Sequence, residues 1–156
     1  MASLTMLASC ENAEYSPLSN QAYIAQTNTN GNSSQNITIG TSAVTSSVNV
    51  RLSDLATQDY TFEVVSDTTA LAEYNQRNET SYKPLPATLY SLSSNEVTIE
   101  KGKSVSSDVT LTINPLTQAL KDSGQKYAVA LRLKSKDGKY DVLNSGSSMV
   151  YILDQV

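Results

Sequence analysis

Ala43-Val-Thr-Ser-Ser-Val-Asn-Val-Arg-Leu52 puts Val44, Val48, Val50 and Leu52 on one parity and Ser, Asn and Arg on the other. Successive side chains of a strand point to opposite faces, so this period of two predicts a half-buried β-strand. The pattern recurs outward in both directions. Val105 to Ile113 carries Val105, Val109, Leu111 and Ile113 inward with Ser, Asp and Thr outward, and Tyr127 to Leu133 alternates again. Tyr60 to Val65 is rich in β-branched and aromatic residues, and Met149 to Leu153 is an apolar strand. Shorter strands are expected over Gln21–Thr27, Ile37–Ile39, Leu89–Leu92 and Glu96–Glu100. Turn signals separate them: Asn30-Gly31-Asn32 within a loop from Asn28 to Asn36, Lys101-Gly102-Lys103, and a hairpin at Asp137-Gly138. Eight or nine short strands at this spacing predict an all-β sandwich.

Two segments break the alternation. Asp67 is a plausible N-cap for a two-turn helix over Thr68 to Tyr74, whose Leu71 and Tyr74 share a face and are expected to pack over an end of the sandwich. Asn114 and Pro115 open a second short helix that Gly124 closes. Between them Tyr82-Lys-Pro-Leu-Pro-Ala87 reads as extended, because each proline removes a donor and biases its predecessor away from the helix.

The chain has 156 residues, the common size for one domain, and its residues are 39% hydrophobic but only 17% charged. A net charge of -4 with no run of Lys or Arg offers no face for phosphate backbones, so nucleic acid is not an expected partner. No stretch approaches the roughly 20 apolar residues of a membrane-spanning helix. With no His and one Cys, the usual zinc and iron ligand sets and the histidine-based nucleophile arrangements are missing, and no metal or other cofactor is expected.

The single cysteine lies in Leu7-Ala-Ser-Cys10, after an apolar, small-residue opening and before polar Glu11 to Glu14. This resembles a bacterial lipobox, with residues 1–9 as the remnant of a signal peptide that lacks its basic start. Lipid on Cys10 would be the only membrane contact, and the place would be the cell surface, as an outer-membrane lipoprotein. Residues 1–19 are accordingly read as signal remnant, lipobox and tether, and residues 20–156 as the sandwich. Glu11 and Glu14 also resemble the acidic export signal that follows the lipid-bearing cysteine in Bacteroidetes surface lipoproteins.

Leu71-Ala-Glu-Tyr74-Asn75, Tyr82-Lys-Pro-Leu85-Pro86, Tyr90-Ser-Leu92 and Val97-Thr-Ile-Glu-Lys-Gly102, with the strands Tyr127–Leu133 and Met149–Leu153, resemble in order and spacing a Bacteroidetes family of N-terminal domains of unknown function. Its members stand behind a lipobox and ahead of domains that look like family-eighteen glycosidases, lectins or discoidin-like modules. The resemblance covers about Asn20 to Leu153 and departs at Ala130, where the family often has proline. It implies an immunoglobulin-like β-sandwich on a surface lipoprotein of the glycan-uptake apparatus. Its motif residues have structural explanations: Leu71 and Tyr74 cover the core, Leu85-Pro86 leads into an edge, and Gly102 occupies a turn needing positive φ.

Chemistry is sparse. A sugar surface uses exposed aromatic rings beside hydrogen-bonding side chains, and Tyr15, Tyr60, Tyr82 and Tyr140, near loops or strand ends, are the ligand-binding candidates, although tyrosine is equally a core-edge residue. The carboxylate pairs Glu96/Glu100, Asp54/Asp59 and Asp137/Asp141 could in principle hydrolyse glycosides, but none sits in a recognisable motif and no enzyme is expected. The leading expectation is a non-catalytic spacer and interaction domain of a surface lipoprotein, partnered by glycans or by a downstream glycan-active domain. The alternatives are a carbohydrate-binding module in its own right, and a self-assembling or adhesive subunit that adds a strand at an open sheet edge.

Overall fold

The protein is described here by a computed structural model covering residues 21–156. It is an immunoglobulin-like β-sandwich. In chain order the elements are β1 (Gln21–Ile24), β2 (Ser34–Ile39), β3 (Val44–Val48), β4 (Val50–Leu52), β5 (Tyr60–Ser66), α1 (Thr68–Asn78), β6 (Lys83–Pro84), β7 (Tyr90–Leu92), β8 (Glu96–Ile99), β9 (Val109–Ile113), α2 (Gln118–Asp122), β10 (Tyr127–Ser135), β11 (Asp141–Val142) and β12 (Ser148–Gln155).

One layer is a sheet of order β2-β12-β10-β5-β8, with β6 also pairing β10. Its pairs are antiparallel except β2 with β12 and β6 with β10. The other layer is made of two three-stranded sheets, β11-β1-β4 and β3-β9-β7. Phe62, Val64, Val97, Leu131 and Tyr151 from the first layer and Ile24, Val48, Val50, Leu111 and Ile113 from the second meet in one core cluster. Burying such aliphatic and aromatic side chains stabilises by roughly 1.5–3 kcal/mol each, so the alternating rows hold the layers together.

The stretch expected as one strand over residues 43–52 is two strands in different sheets. Asn49 breaks it: its carbonyl accepts from Ala25 N at 2.9 Å, its N–H donates to Gln26 Oε1 at 3.0 Å, and Gln26 Nε2 donates to Asn49 Oδ1 at 2.7 Å. A side-chain amide thus replaces a ladder partner where the strand changes sheets. Parity survives the break, so Val44, Val48, Val50 and Leu52 all face inward as the period requires.

Other boundaries move for local reasons. Of the expected strand Val105–Ile113 only Val109–Ile113 is β9, because Ser106 is drawn onto β4 through Ser106 N to Val50 O and Val50 N to Ser106 Oγ, both 2.9 Å. Helix α2 starts after Thr117, whose Oγ1 accepts from Leu120 N, rather than at Asn114. The Asp137-Gly138 signal makes a tight turn, with Gly138 at φ +69, but no hairpin follows: β11 crosses to pair with β1 in parallel.

Helix α1 is longer than expected and lies elsewhere. Asp67 caps it, accepting from Thr69 N at 2.9 Å, and the helix runs eleven residues before Glu79 turns left-handed at φ 54. Its buried Ala70, Leu71 and Tyr74 pack on Ala128, Ala130, Val150 and Ile152, the face of β10 and β12 that points away from the main core. The helix therefore covers the outer face of a sheet and not an end of the sandwich.

Candidate functional site

Helix α1 and the sheet it covers form one wall of a polar cleft of about 350 Å³, lined by Gly31, Glu73, Gln76, Arg77, Arg132, Asn144, Ser145 and Ser148. The walls are tied to one another around a ring. Asn78 at the helix end and Asn32 in the β1–β2 loop exchange side-chain amide bonds of 2.6 and 2.7 Å. Gly31 N donates to Ser145 O at 2.8 Å, joining that loop to the 3-10 turn Asn144–Gly146. Ser148, which begins β12, is the register partner of Arg132 in β10. Arg132 closes the ring, donating from Nη2 to Glu73 Oε1 at 2.7 Å and from Nε to Asp67 Oδ2 at 3.2 Å.

The loop is itself braced. Asn28 Oδ1 accepts from Asn30 N and Ser33 Oγ, while Ser33 Oγ accepts from Asn28 N. Thr29 takes φ 57, a left-handed conformation unusual for a β-branched residue, and is held there by these bonds. Gly146 is required where it stands, because a Cβ there would lie 2.6 Å from Tyr23 Cβ.

Electrostatics fix the back of the cleft. Burial pushes the Asp67 carboxyl up, but the Thr69 N–H and the Arg132 guanidinium outweigh it and hold its pKa below the ordinary value. Burial alone would lower the Arg132 guanidinium; its bonds to Glu73 and Asp67 raise it instead. Two carboxylates therefore neutralise the one cation at the floor. Gln76, Arg77, Asn144, Ser145 and Ser148 have no side-chain hydrogen-bond partner among the described residues, so their donors and acceptors are free for water or a ligand.

The tyrosines singled out in the sequence are not brought together here. Tyr15 and Cys10 lie outside the described residues. Tyr60 and Tyr140 are 6% and 9% exposed and pack against each other with ring centroids 4.8 Å apart and planes tilted by 57°, so neither offers a ring face to a sugar. Tyr82 is half-buried, its ring 6.3 Å from that of Tyr74 beside α1. Tyrosines that do line depressions include Tyr23, with Thr27, Asn28, Thr29 and Ser53, and Tyr127, with Gln125, Leu153 and Asp154. Tyr23 falls within the strand expected over Gln21–Thr27, and its outward parity in β1 is the signal that points to it.

One carboxylate of each candidate pair has structural work. Glu96 pairs with Lys136 at 2.7 Å, Asp59 accepts from Lys101 N at 2.8 Å, and Asp137 accepts from Thr61 N and Lys139 N at 3.0 Å each. None of them lines the cleft.

Comparison with known proteins finds no match among curated proteins. Solved structures do match in fold. A Bacteroides ovatus protein described as a "putative carbohydrate binding protein" superposes with a TM-score of 0.70 at 20% identity, covering 86% of this chain and 36% of its own. EndoBT-3987 of Bacteroides thetaiotamicron, solved with a Man5GlcNAc product, gives 0.66 at 16% identity over 78% of this chain and 28% of its own. A two-domain protein of unknown function from Bacteroides fragilis gives 0.69 at 13% identity, covering 94% and 49%. The chain thus spans between about a quarter and a half of the length of these neighbours. A family model described as a "-like, N-terminal domain" matches residues 18–139, most of the sandwich, and the chain belongs to that family of N-terminal domains.

Proposed function

We propose that the chain is the non-catalytic N-terminal domain of a longer surface lipoprotein, a spacer and interaction module that holds a glycan-binding or glycan-processing partner away from the outer membrane. The observation that carries this reading is membership of a family of N-terminal domains together with the small share of each neighbour that the chain spans. Two of those neighbours, one described as carbohydrate binding and one solved with an oligosaccharide product, supply the glycan context. The engagement of Glu96, Asp59 and Asp137 in turns and surface pairs favours a module that does not itself cleave.

Cys10 supplies the anchor in this reading. Each buried methylene contributes ~0.8 kcal/mol, so several acyl chains on one cysteine keep a protein on a membrane. The test is metabolic labelling with a clickable fatty acid in a Bacteroides host expressing the protein behind a complete signal peptide. Label and membrane fractionation should both disappear in Cys10→Ala; label retained in that variant would refute the anchor. In parallel, the purified chain incubated with a panel of glycans should release no new reducing ends, and sustained turnover would overturn the non-catalytic assignment.

A further inference from the structure

We infer that the cleft ringed by α1, the β1–β2 loop, the Asn144–Gly146 turn and the outer face of β10 and β12 is a binding site for a neutral saccharide unit of a glycan chain. The inference rests on the glycan-handling reading above and names the site and the ligand class.

Three observations converge on it. The first is preorganisation: each wall is bonded to the next through Asn32–Asn78, Gly31–Ser145 and Arg132–Glu73. A ligand entering such a cleft need not pay for ordering the loops that surround it. The second is the lining. Gln76, Arg77, Asn144, Ser145 and Ser148 present amide, guanidinium and hydroxyl groups without protein partners among the described residues, and no aromatic or aliphatic side chain contributes. Planar amides and guanidiniums can span two adjacent hydroxyls, and hydroxyls both donate and accept, which suits a polyol. The third is charge. The Arg132 guanidinium is answered by Asp67 and Glu73, leaving Arg77 as the one cation of the cleft lining without an ion pair, so two cations face two carboxylates overall. A site for an acidic sugar, sulfate or phosphate would carry an uncompensated positive field. A volume of about 350 Å³ is at the small end of ligand pockets, room for one or two sugar rings rather than a buried oligosaccharide.

The experiment is affinity electrophoresis of the full chain through gels containing neutral polysaccharides, with acidic polysaccharides alongside and at two salt concentrations. Retardation by a neutral polymer, insensitive to salt, is expected. Arg77→Ala and Asn144→Ala, both on the surface, should each weaken it about tenfold, the loss expected for a hydrogen bond to a charged or well-placed polar group. Gln125→Ala, in the depression beside Tyr127 and Leu153 that shares no residue with the cleft, should leave it unchanged. Circular dichroism of each variant confirms the fold. Retardation abolished by Gln125→Ala but untouched by Arg77→Ala and Asn144→Ala would overturn the cleft while leaving glycan handling intact. Retardation only by acidic polymers, lost at high salt, would overturn the neutral-ligand assignment. No retardation by any polymer would overturn the site itself, whereas the anchoring experiment on Cys10 would still decide the spacer reading independently.

Discussion

Tyr151 lies wholly inside the sandwich, and its hydroxyl has no hydrogen-bond partner. Burial pushes its pKa up to about 12; the inward Ser46 side chain opposes that shift without meeting hydrogen-bond geometry. A buried unsatisfied hydroxyl costs about 1–3 kcal/mol, whereas an apolar group of the same shape costs nothing comparable. Tyr151→Phe should therefore raise stability by about 1 kcal/mol in urea unfolding, and a loss of stability would show that the hydroxyl is satisfied in solution, for instance by water. Asp67 combines a helix cap with an ion pair, and pH separates them. Its pKa is below the ordinary 3.8, so its contribution is complete above that value and is lost as pH falls through the lower, folded pKa. Asn also caps well, so Asp67→Asn should cost only the charge at pH 7 and converge with the parent only once pH has fallen below the lowered, folded pKa of Asp67, while Asp67→Ala should lose about 1 kcal/mol more at both. Parallel pH profiles for parent and Asp67→Asn would contradict this division.

At the scale of elements, α1 and β10 show what periodicity does and does not reveal. Tyr127, Val129, Leu131 and Leu133 form the large row of β10, and Ala128 and Ala130 the small one. The sequence makes the strand plain, but a small apolar row is ambiguous until something is seen to cover it. The helix does, with Leu71 and Tyr74 resting on Ala128, Ala130, Val150 and Ile152. Burial of both faces of β10 and β12 is the reason for the near-continuous apolar run Met149–Leu153. Leu71 and Tyr74 were legible as the buried face of a helix; which sheet face received them was not, because that depends on strand order. Ala130→Leu would force a branched side chain between helix and sheet. Overpacking of this kind costs about 1–3 kcal/mol, so the urea midpoint should fall, with amide exchange accelerated in α1 before the central strands. An unchanged midpoint would mean that α1 can shift outward freely.

For the molecule as a whole, the alternation of Ala43–Leu52 predicted the inward face correctly at Val44, Val48, Val50 and Leu52 and concealed the change of sheet between them, since a strand may switch partners without changing parity. The cleft was hidden for a related reason: Arg77, Arg132 and Asn144 lie far apart in sequence, and only the pairing of β10 with β12 and the docking of α1 bring them to one place. The two halves of the second layer are held at Asn49, where Gln26 makes both of its side-chain bonds, and at the bridge between Arg51 and Val105. Because Gln26 satisfies a backbone N–H that no strand reaches, its loss should act on the joint and not on either sheet alone. Gln26→Ala should cost about 1–2 kcal/mol, the combined worth of two such bonds. Asn49→Ala removes one of the same bonds, so the double variant should fall short of additivity by 0.5 kcal/mol or more in a mutant cycle of the order seen for contacting residues. Strict additivity would locate the joint in the Ser106–Val50 bonds instead, and Ser106→Ala would then be the variant that loosens the layer.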